Sequence, residues 1–275
     1  MRGPLRRLGF GLATALGLAE RGFFIPYRYA GAVQPADYPA LEPLFSAAEP
    51  AFKTVLARIE EFGPDLEHIR DGSGPARFDQ HWFPRLDAAA AYAMVRAGTP
   101  RRIVEIGSGH STRFLARGAA DGGLATEIVA IDPAPRASLA ELGVRHDVNL
   151  LSDADPALFT ALRSGDILFV DSSHVAMPGT DVDRIVNDLL PRLPAGLLVH
   201  IHDVLLPDGY PADWAWRGYN EQSLVGALIQ GGGYELLFAS HWIATRRPDW
   251  LAGGVVARLP LMRGARETSL WLRKR

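Results

Sequence analysis

The stretch RRIVEIGSGHST, residues 101–112, decides how the rest of the chain is read. Ile103, Val104 and Ile106 make a short apolar run that stops at Gly107 and Gly109, and Ser111 or Thr112 can cap a helix that follows. The two glycines permit a tight turn and a close approach of a ligand to the backbone. The third glycine of the dinucleotide fingerprint is missing, since Gly107-Ser108-Gly109-His110-Ser111-Thr112 is not GxGxxG. Glu105 stands two residues before the turn, and Asp132 ends the next apolar run in AIDPAPR, residues 130–136, placed to accept hydrogen bonds from ribose hydroxyls. Alternatively the glycines form an ordinary turn and Asp132 caps a helix; taken together, the residues favour a nucleoside site.

Working outward, helix and strand patterns alternate. Helix DAAAAYAMVRAG (87–98) leads to strand 101–108, and a helix runs from Ser111 to Ala120. Then come strand TEIVAID (126–132), helix ASLAELG (137–143), strand VRHDVNLL (144–151) and helix DPALFTALRSG (155–165). Strand DILFVDSS (166–173), helix TDVDRIVNDLLPRL (180–193), strand GLLVHIHDV (196–204) and helix NEQSLVGALIQ (220–230) follow. The last segments read as strands YELLFASHWIA (234–244) and TSLWLRK (268–274). Runs such as ILFV are apolar on both faces, which predicts an α/β domain with a mostly parallel sheet covered by helices on both sides. Ligands bind such sheets outside the carboxyl ends of the strands.

The 275 residues, 48% hydrophobic and 22% charged, suffice for one large domain with an appendage. A net charge of -2 without a basic block points away from nucleic acid and toward a small molecule. Cysteine is absent, so there is no thiolate metal site, and the composition suits the cytoplasm. Residues 1–85 are expected as a helical N-terminal extension or lid, and 86–275 as the main domain. In the extension, the apolar run from Leu8 to Ala19 is too short for a transmembrane segment. It reads as an amphipathic helix that packs on the domain or pairs two subunits into a homo-oligomer, with a membrane-surface anchor as the alternative. A second helical stretch spans Tyr38 to Arg70, ended by Pro64.

The acidic-x-Gly-x-Gly pattern of Glu105, Gly107 and Gly109, with Asp132 ending the second strand, resembles the class I S-adenosylmethionine-dependent methyltransferases from about Asp87 to the C-terminus. FVDSSHV (169–175) and HIHDV (200–204) look like the fourth and fifth strand ends of small-molecule, catechol O-methyltransferase-like members. The resemblance implies a Rossmann-like methyltransferase fold with a seven-stranded, mostly parallel sheet whose last strand is antiparallel. It implies S-adenosylmethionine as cofactor, held by Glu105, Gly107, Ser108, Gly109, Ser111, Thr112 and Asp132, of which Glu105 approaches the methionine amino group through the turn; Asp153, after the third strand, is expected either to contact adenine or to cap a neighbouring helix.

In that family an acid after strand four and a residue pair after strand five hold a divalent metal that binds the acceptor oxygens. Carried over, the metal positions fall on Asp171, His202 and Asp203, while His174 replaces a lysine base, so Asp171, His174 and His202 are the catalytic candidates. Imidazole among the ligands suits manganese, iron or zinc as well as magnesium. The alternative is direct acid-base and hydrogen-bonding chemistry without a metal, and both readings stay open. Period-two alternation puts His200 and His202 on one face and Asp203 on the other unless the strand ends between them; His200 reads as a core residue. Trp214, Trp216 and Tyr219 are expected as an acceptor wall or an anchor for the following helix, and FDQHWFPRLD (78–87) as a lid. The function expected is methyl transfer to a small-molecule hydroxyl. A nicotinamide-dependent oxidoreductase and a non-catalytic cofactor-binding module are the alternatives.

Overall fold

The computed structural model describes residues 2–275; Met1, at the head of the expected extension, lies outside the described residues. Seven strands form one sheet: β1 (Arg102–Ile106), β2 (Glu127–Ile131), β3 (Arg145–Asp147), β4 (Ile167–Val170), β5 (Leu198–Ile201), β6 (Tyr234–Ala239) and β7 (Leu270–Lys274). Their order is β3-β2-β1-β4-β5-β7-β6, with β7 antiparallel to both neighbours and the other pairs parallel. This is the expected Rossmann-like methyltransferase architecture. The order reverses between β1 and β4, so the carboxyl ends of those strands flank a crevice.

Glu105, Phe169, His200 and Trp271 sit side by side in register across β1, β4, β5 and β7. Phe169 stacks on His200 with ring centroids 3.7 Å apart, and Trp271 crosses Phe169 edge-on at 5.8 Å. All four are fully buried, which makes His200 the core residue expected from its depth; its Nε2 bonds Ser269 Oγ at 2.8 Å while Nδ1 has no partner.

Helix α1 spans Arg2–Ala15, α2 Glu42–Glu61 and α3 Gly63–Arg70. Pro64 lies in the first turn of α3, where its missing N–H costs nothing, so it starts a second helix instead of closing the segment. Phe45 stacks on Trp242 and Phe52 meets Phe238 edge-on, so α2 joins the same core as the sheet. Helices α4 (Arg85–Gly98) and α5 (His110–Asp121) flank β1 in sequence; α6 (Ala157–Thr160), α7 (Asp181–Arg184), α8 (Leu190–Arg192), α9 (Glu221–Gln230) and α10 (Ser240–Arg246) complete the set.

Three local expectations are corrected. Residues 137–143 form turns, with Glu141 and Gly143 at φ 71° and 67°, because seven residues between prolines and a glycine offer too few propagating bonds. The segment 234–244 is a strand only to Ala239; Ser240–Arg246 turns into α10, burying Trp242 against Phe45 of α2 and Ile243 in the core. The segment 180–193 is not one α-helix: a π turn over Ile185–Leu189 separates α7 from α8, next to Pro191, which lacks a donor.

Candidate active site

The Gly107 turn is built by close approach of two strands. Gly107 has φ 82°, and a Cβ there would lie 1.9 Å from the Asp171 carbonyl oxygen, so only glycine lets the end of β1 lie against the end of β4. Beyond the turn, Asp132 Oδ2 accepts from the Ser108 backbone N–H at 2.8 Å and the Ser108 hydroxyl at 3.0 Å, while Oδ1 accepts from the Ala134 N–H. Gly109 N–H donates to Thr112 Oγ1, bracing the start of α5. Underneath, Glu105 accepts from the Ser111 hydroxyl at 2.5 Å, and its Oε2 is buried without a partner. Burial pushes the Glu105 carboxyl up to about 8, against the opposing hydrogen bonds of Ser111 and Thr112. Outside the strand ends lies a cavity of about 560 Å³, lined among others by Gly107, Ser108, Asp132, Leu150, Ser152 and Asp171.

Next to this cavity, two imidazoles are held among four carboxylates. His174 Nδ1 lies 2.8 Å from Glu221 Oε2, and its Nε2 lies 3.2 Å from Asp171 Oδ1 and 3.6 Å from Asp203 Oδ2. His202 Nδ1 lies 3.5 Å from Asp171 Oδ1 and 3.7 Å from Asp203 Oδ1, while Nε2 faces Asp87 Oδ2 at 3.3 Å. Asp87 in turn accepts from the Thr268 and Ser269 N–H groups leading into β7. Burial pushes both imidazoles down, but the hydrogen bonds and charges of these carboxylates outweigh it and hold His174 and His202 well above the ordinary histidine value. Asp171, raised by burial, is brought well below the carboxylate range by the same two partners. His174 and Asp203 both have left-handed backbones, φ 59° and 55°, a strained state for such residues that persists where the surroundings over-determine it.

A comparison with protein families adds one match. Residues 104–204, running from β1 through the end of β5, match a family model described as a methyltransferase domain. Over these residues the chain carries a methyltransferase domain. Solved structures similar to the methyltransferase include S-adenosylhomocysteine-bound PaMTH1 of Podospora anserina, at 17% identity over 92% of this chain and 99% of that chain, TM-score 0.42. An O-methyltransferase from Bacillus cereus in complex with S-adenosylhomocysteine is 17% identical over 65% of this chain and 90% of its own, TM-score 0.40. Cofactor-bound Rv0187 from MTB is 16% identical over 88% and 99%, TM-score 0.43. No curated protein sequence matches the methyltransferase.

The methyltransferase brings some expected residues to its cavity and leaves others outside. Gly107, Ser108, Asp132 and Asp171 line it. Ser111 and Thr112 are buried behind the turn, and Asp153 is exposed in a short helical turn whose neighbours Leu151 and Ser152 face the cavity in its stead. Asp203 faces the same cluster as His202 because β5 ends at Ile201 and the left-handed turn at Asp203 rotates its side chain back. Of the aromatic loop, Trp214 carries Arg217 over its ring at 4.0 Å and Tyr219 lies 4.5 Å from the His174 ring, so both also support the cluster. In the expected lid, Trp82 stacks on His110 at 5.8 Å and Phe83 lies 5.4 Å from the His202 ring. Sequence reading missed Glu221 and Asp87: each is a single acid at the start of an amphipathic helix, indistinguishable there from a favourable helix-dipole residue.

S-adenosylmethionine fits this site: the Glu105 Oε2 atom buried without a partner suits an ammonium group, and Asp132 opens onto the cavity for ribose hydroxyls. A divalent metal fits less well. Asp171, His202 and Asp203 are close neighbours, but their polar atoms are engaged with His174, Asp87, Thr268 and one another, and among the described residues no group of three such side chains is arranged to hold an ion.

Proposed function

We propose that the methyltransferase moves a methyl group to a hydroxyl of a small-molecule acceptor, with Asp171 meeting the hydroxyl and His174 taking its proton from behind. One observation carries this reading: Asp171 alone of the cluster lines the cofactor cavity, while its Oδ1 lies 3.2 Å from the Nε2 of His174, which is only 1% exposed. S-adenosylmethionine supplies an electrophilic sulfonium methyl. The Asp171 carboxylate accepts a hydrogen bond from the acceptor hydroxyl and aligns its oxygen. The acceptor oxygen would gain the methyl group as the methyl–sulfur bond breaks and leaves a neutral thioether, and the hydroxyl proton would pass through Asp171 to neutral His174, whose Nδ1–H stays bonded to Glu221. His202 balances the charge of Asp171 and Asp203, and Asp87 holds His202 in position.

Because the carboxylates hold His174 above its ordinary value, the neutral base form becomes populated only as pH rises. The rate is therefore expected to climb through the alkaline side of neutrality instead of near pH ~6.5. Transfer of a labelled methyl group to a panel of phenols and hydroxy acids, followed against pH, tests this. His174→Gln should lower kcat by about 10²-fold and flatten the profile; an unchanged profile would overturn the role of His174. A metal-assisted version of the same reaction, through Asp171, His202 and Asp203, requires that chelation abolish activity and that manganese or magnesium restore it. Full activity in metal-free protein excludes that version. The cysteine-free composition supports the cytoplasm as the compartment.

A further inference from the structure

A second, larger cavity of about 1000 Å³ opens between α1 and the segment 212–220. It adjoins the cofactor cavity, since Phe23 and Val175 line both. Helix α1 is fixed over it by close packing: a Cβ on Gly3 would lie 2.7 Å from the Trp216 ring, and the Arg7 guanidinium donates to the Ala215 carbonyl at 2.8 Å. The face of α1 turned to the cavity carries Arg6, Phe10 and Gly11, and the chain returns past it at Arg21 and Phe24. The Arg6 and Arg21 guanidinium groups both lie over the Phe10 ring, at 5.1 and 5.8 Å. At the inner end, Arg217 reaches Asp203 at 3.5 Å. Among the described residues, no Asp or Glu lines this cavity.

An apolar cavity with several guanidinium groups and no lining carboxylate selects a molecule that is apolar along its length and negatively charged at one place. We propose that this cavity seats the acceptor, and that the acceptor is an elongated, mainly apolar molecule with an anionic group. Arg6 and Arg21 hold the anionic group, and the acceptor's hydroxyl reaches past Val175 to Asp171. This rests on the methyl-transfer reading above and adds the substrate class to it.

The test is calorimetric titration of the full chain with decanoate, decanol and decyltrimethylammonium, and separately with S-adenosylhomocysteine. Decanoate is expected to bind one to one and at least tenfold more tightly than the two others. Replacing both arginines, Arg6→Gln with Arg21→Gln, should weaken decanoate at least tenfold and leave S-adenosylhomocysteine unchanged. Gly11 faces open space, so Gly11→Leu extends into the cavity without a clash and should block decanoate while improving the helix. Equal binding of the cationic probe, or decanoate affinity unaffected in both variants, overturns the proposal. So does association of α1 with anionic phospholipid vesicles in the absence of one-to-one decanoate binding, since α1 would then be a surface anchor. Failure of the wild-type chain to bind S-adenosylhomocysteine would instead count against the methyl-transfer reading itself.

Discussion

Glu105 concentrates the physics of the candidate site in one carboxyl group. Folded without cofactor, it holds its proton to about pH 8, whereas its ordinary value is 4.5. Between those values the native state binds more protons than the unfolded chain, so this residue makes stability fall as pH rises. Glu105→Gln removes that dependence, and thermal melts from pH 5 to 9 should show the variant gaining on the wild type up to about pH 8, with the difference levelling off above it. The same variant should bind S-adenosylhomocysteine about tenfold more weakly, roughly 1.4 kcal/mol, because the charged partner of the amino group is gone. Equal affinity would show that Glu105 only braces the turn through Ser111. Glu105 was legible as a ligand candidate from its distance to the glycines. Its burial was not, because that depends on the row it shares with Phe169, His200 and Trp271 on three other strands.

The elements that make the site are turns at strand ends, and their geometry is set by contact between neighbouring strands. Gly107→Ala tests this directly: its Cβ meets the Asp171 carbonyl and its backbone stays left-handed, so both the turn and the β4 end must shift. We expect a loss of about 2 kcal/mol or more in denaturant unfolding, with cofactor binding reduced along with it. Normal stability with normal binding would mean that the two strand ends are not held together as described. The turns at His174 and Asp203 carry the same lesson from the other side. Strict alternation assigns Asp203 to the far face of β5, and only the left-handed turn after Ile201 returns it to His202. No residue there announces such a turn, since neither His174 nor Asp203 is a glycine.

At the scale of the molecule, the helices before β1 are of two kinds. Phe45, Phe52, Ile59, Leu66 and Ile69 of α2 and α3 belong to the core of the sheet. Helix α1 instead leaves Leu5, Leu8 and Leu12 more than half exposed along one face, and its packing runs through Gly3, Arg7 and Trp216. Deleting residues 2–20 should therefore lower the melting temperature by no more than about 2–4 °C, the equivalent of about 1 kcal/mol in a chain of this size. S-adenosylhomocysteine binding should persist in the truncated protein, as all the strand ends remain. A fall beyond 10 °C in differential scanning calorimetry would place α1 in the core. Among the described residues no helix is long and apolar enough to cross a membrane.

The amino-acid order by itself determined the alternation of apolar strands and helices, the glycine turn after β1, and the acids at the ends of β1, β2 and β4, because each is written in local spacing. It also placed His174 and His202 at neighbouring strand ends, through the family resemblance of those ends. Tertiary structure decided the rest: that Glu221 and Asp87, 47 and 115 residues away from their histidines, complete the cluster, and that α1 roofs a second cavity beside the one at the strand ends. Charge and depth at those positions come from groups distant in the chain, and no window of sequence contains both partners of such a contact.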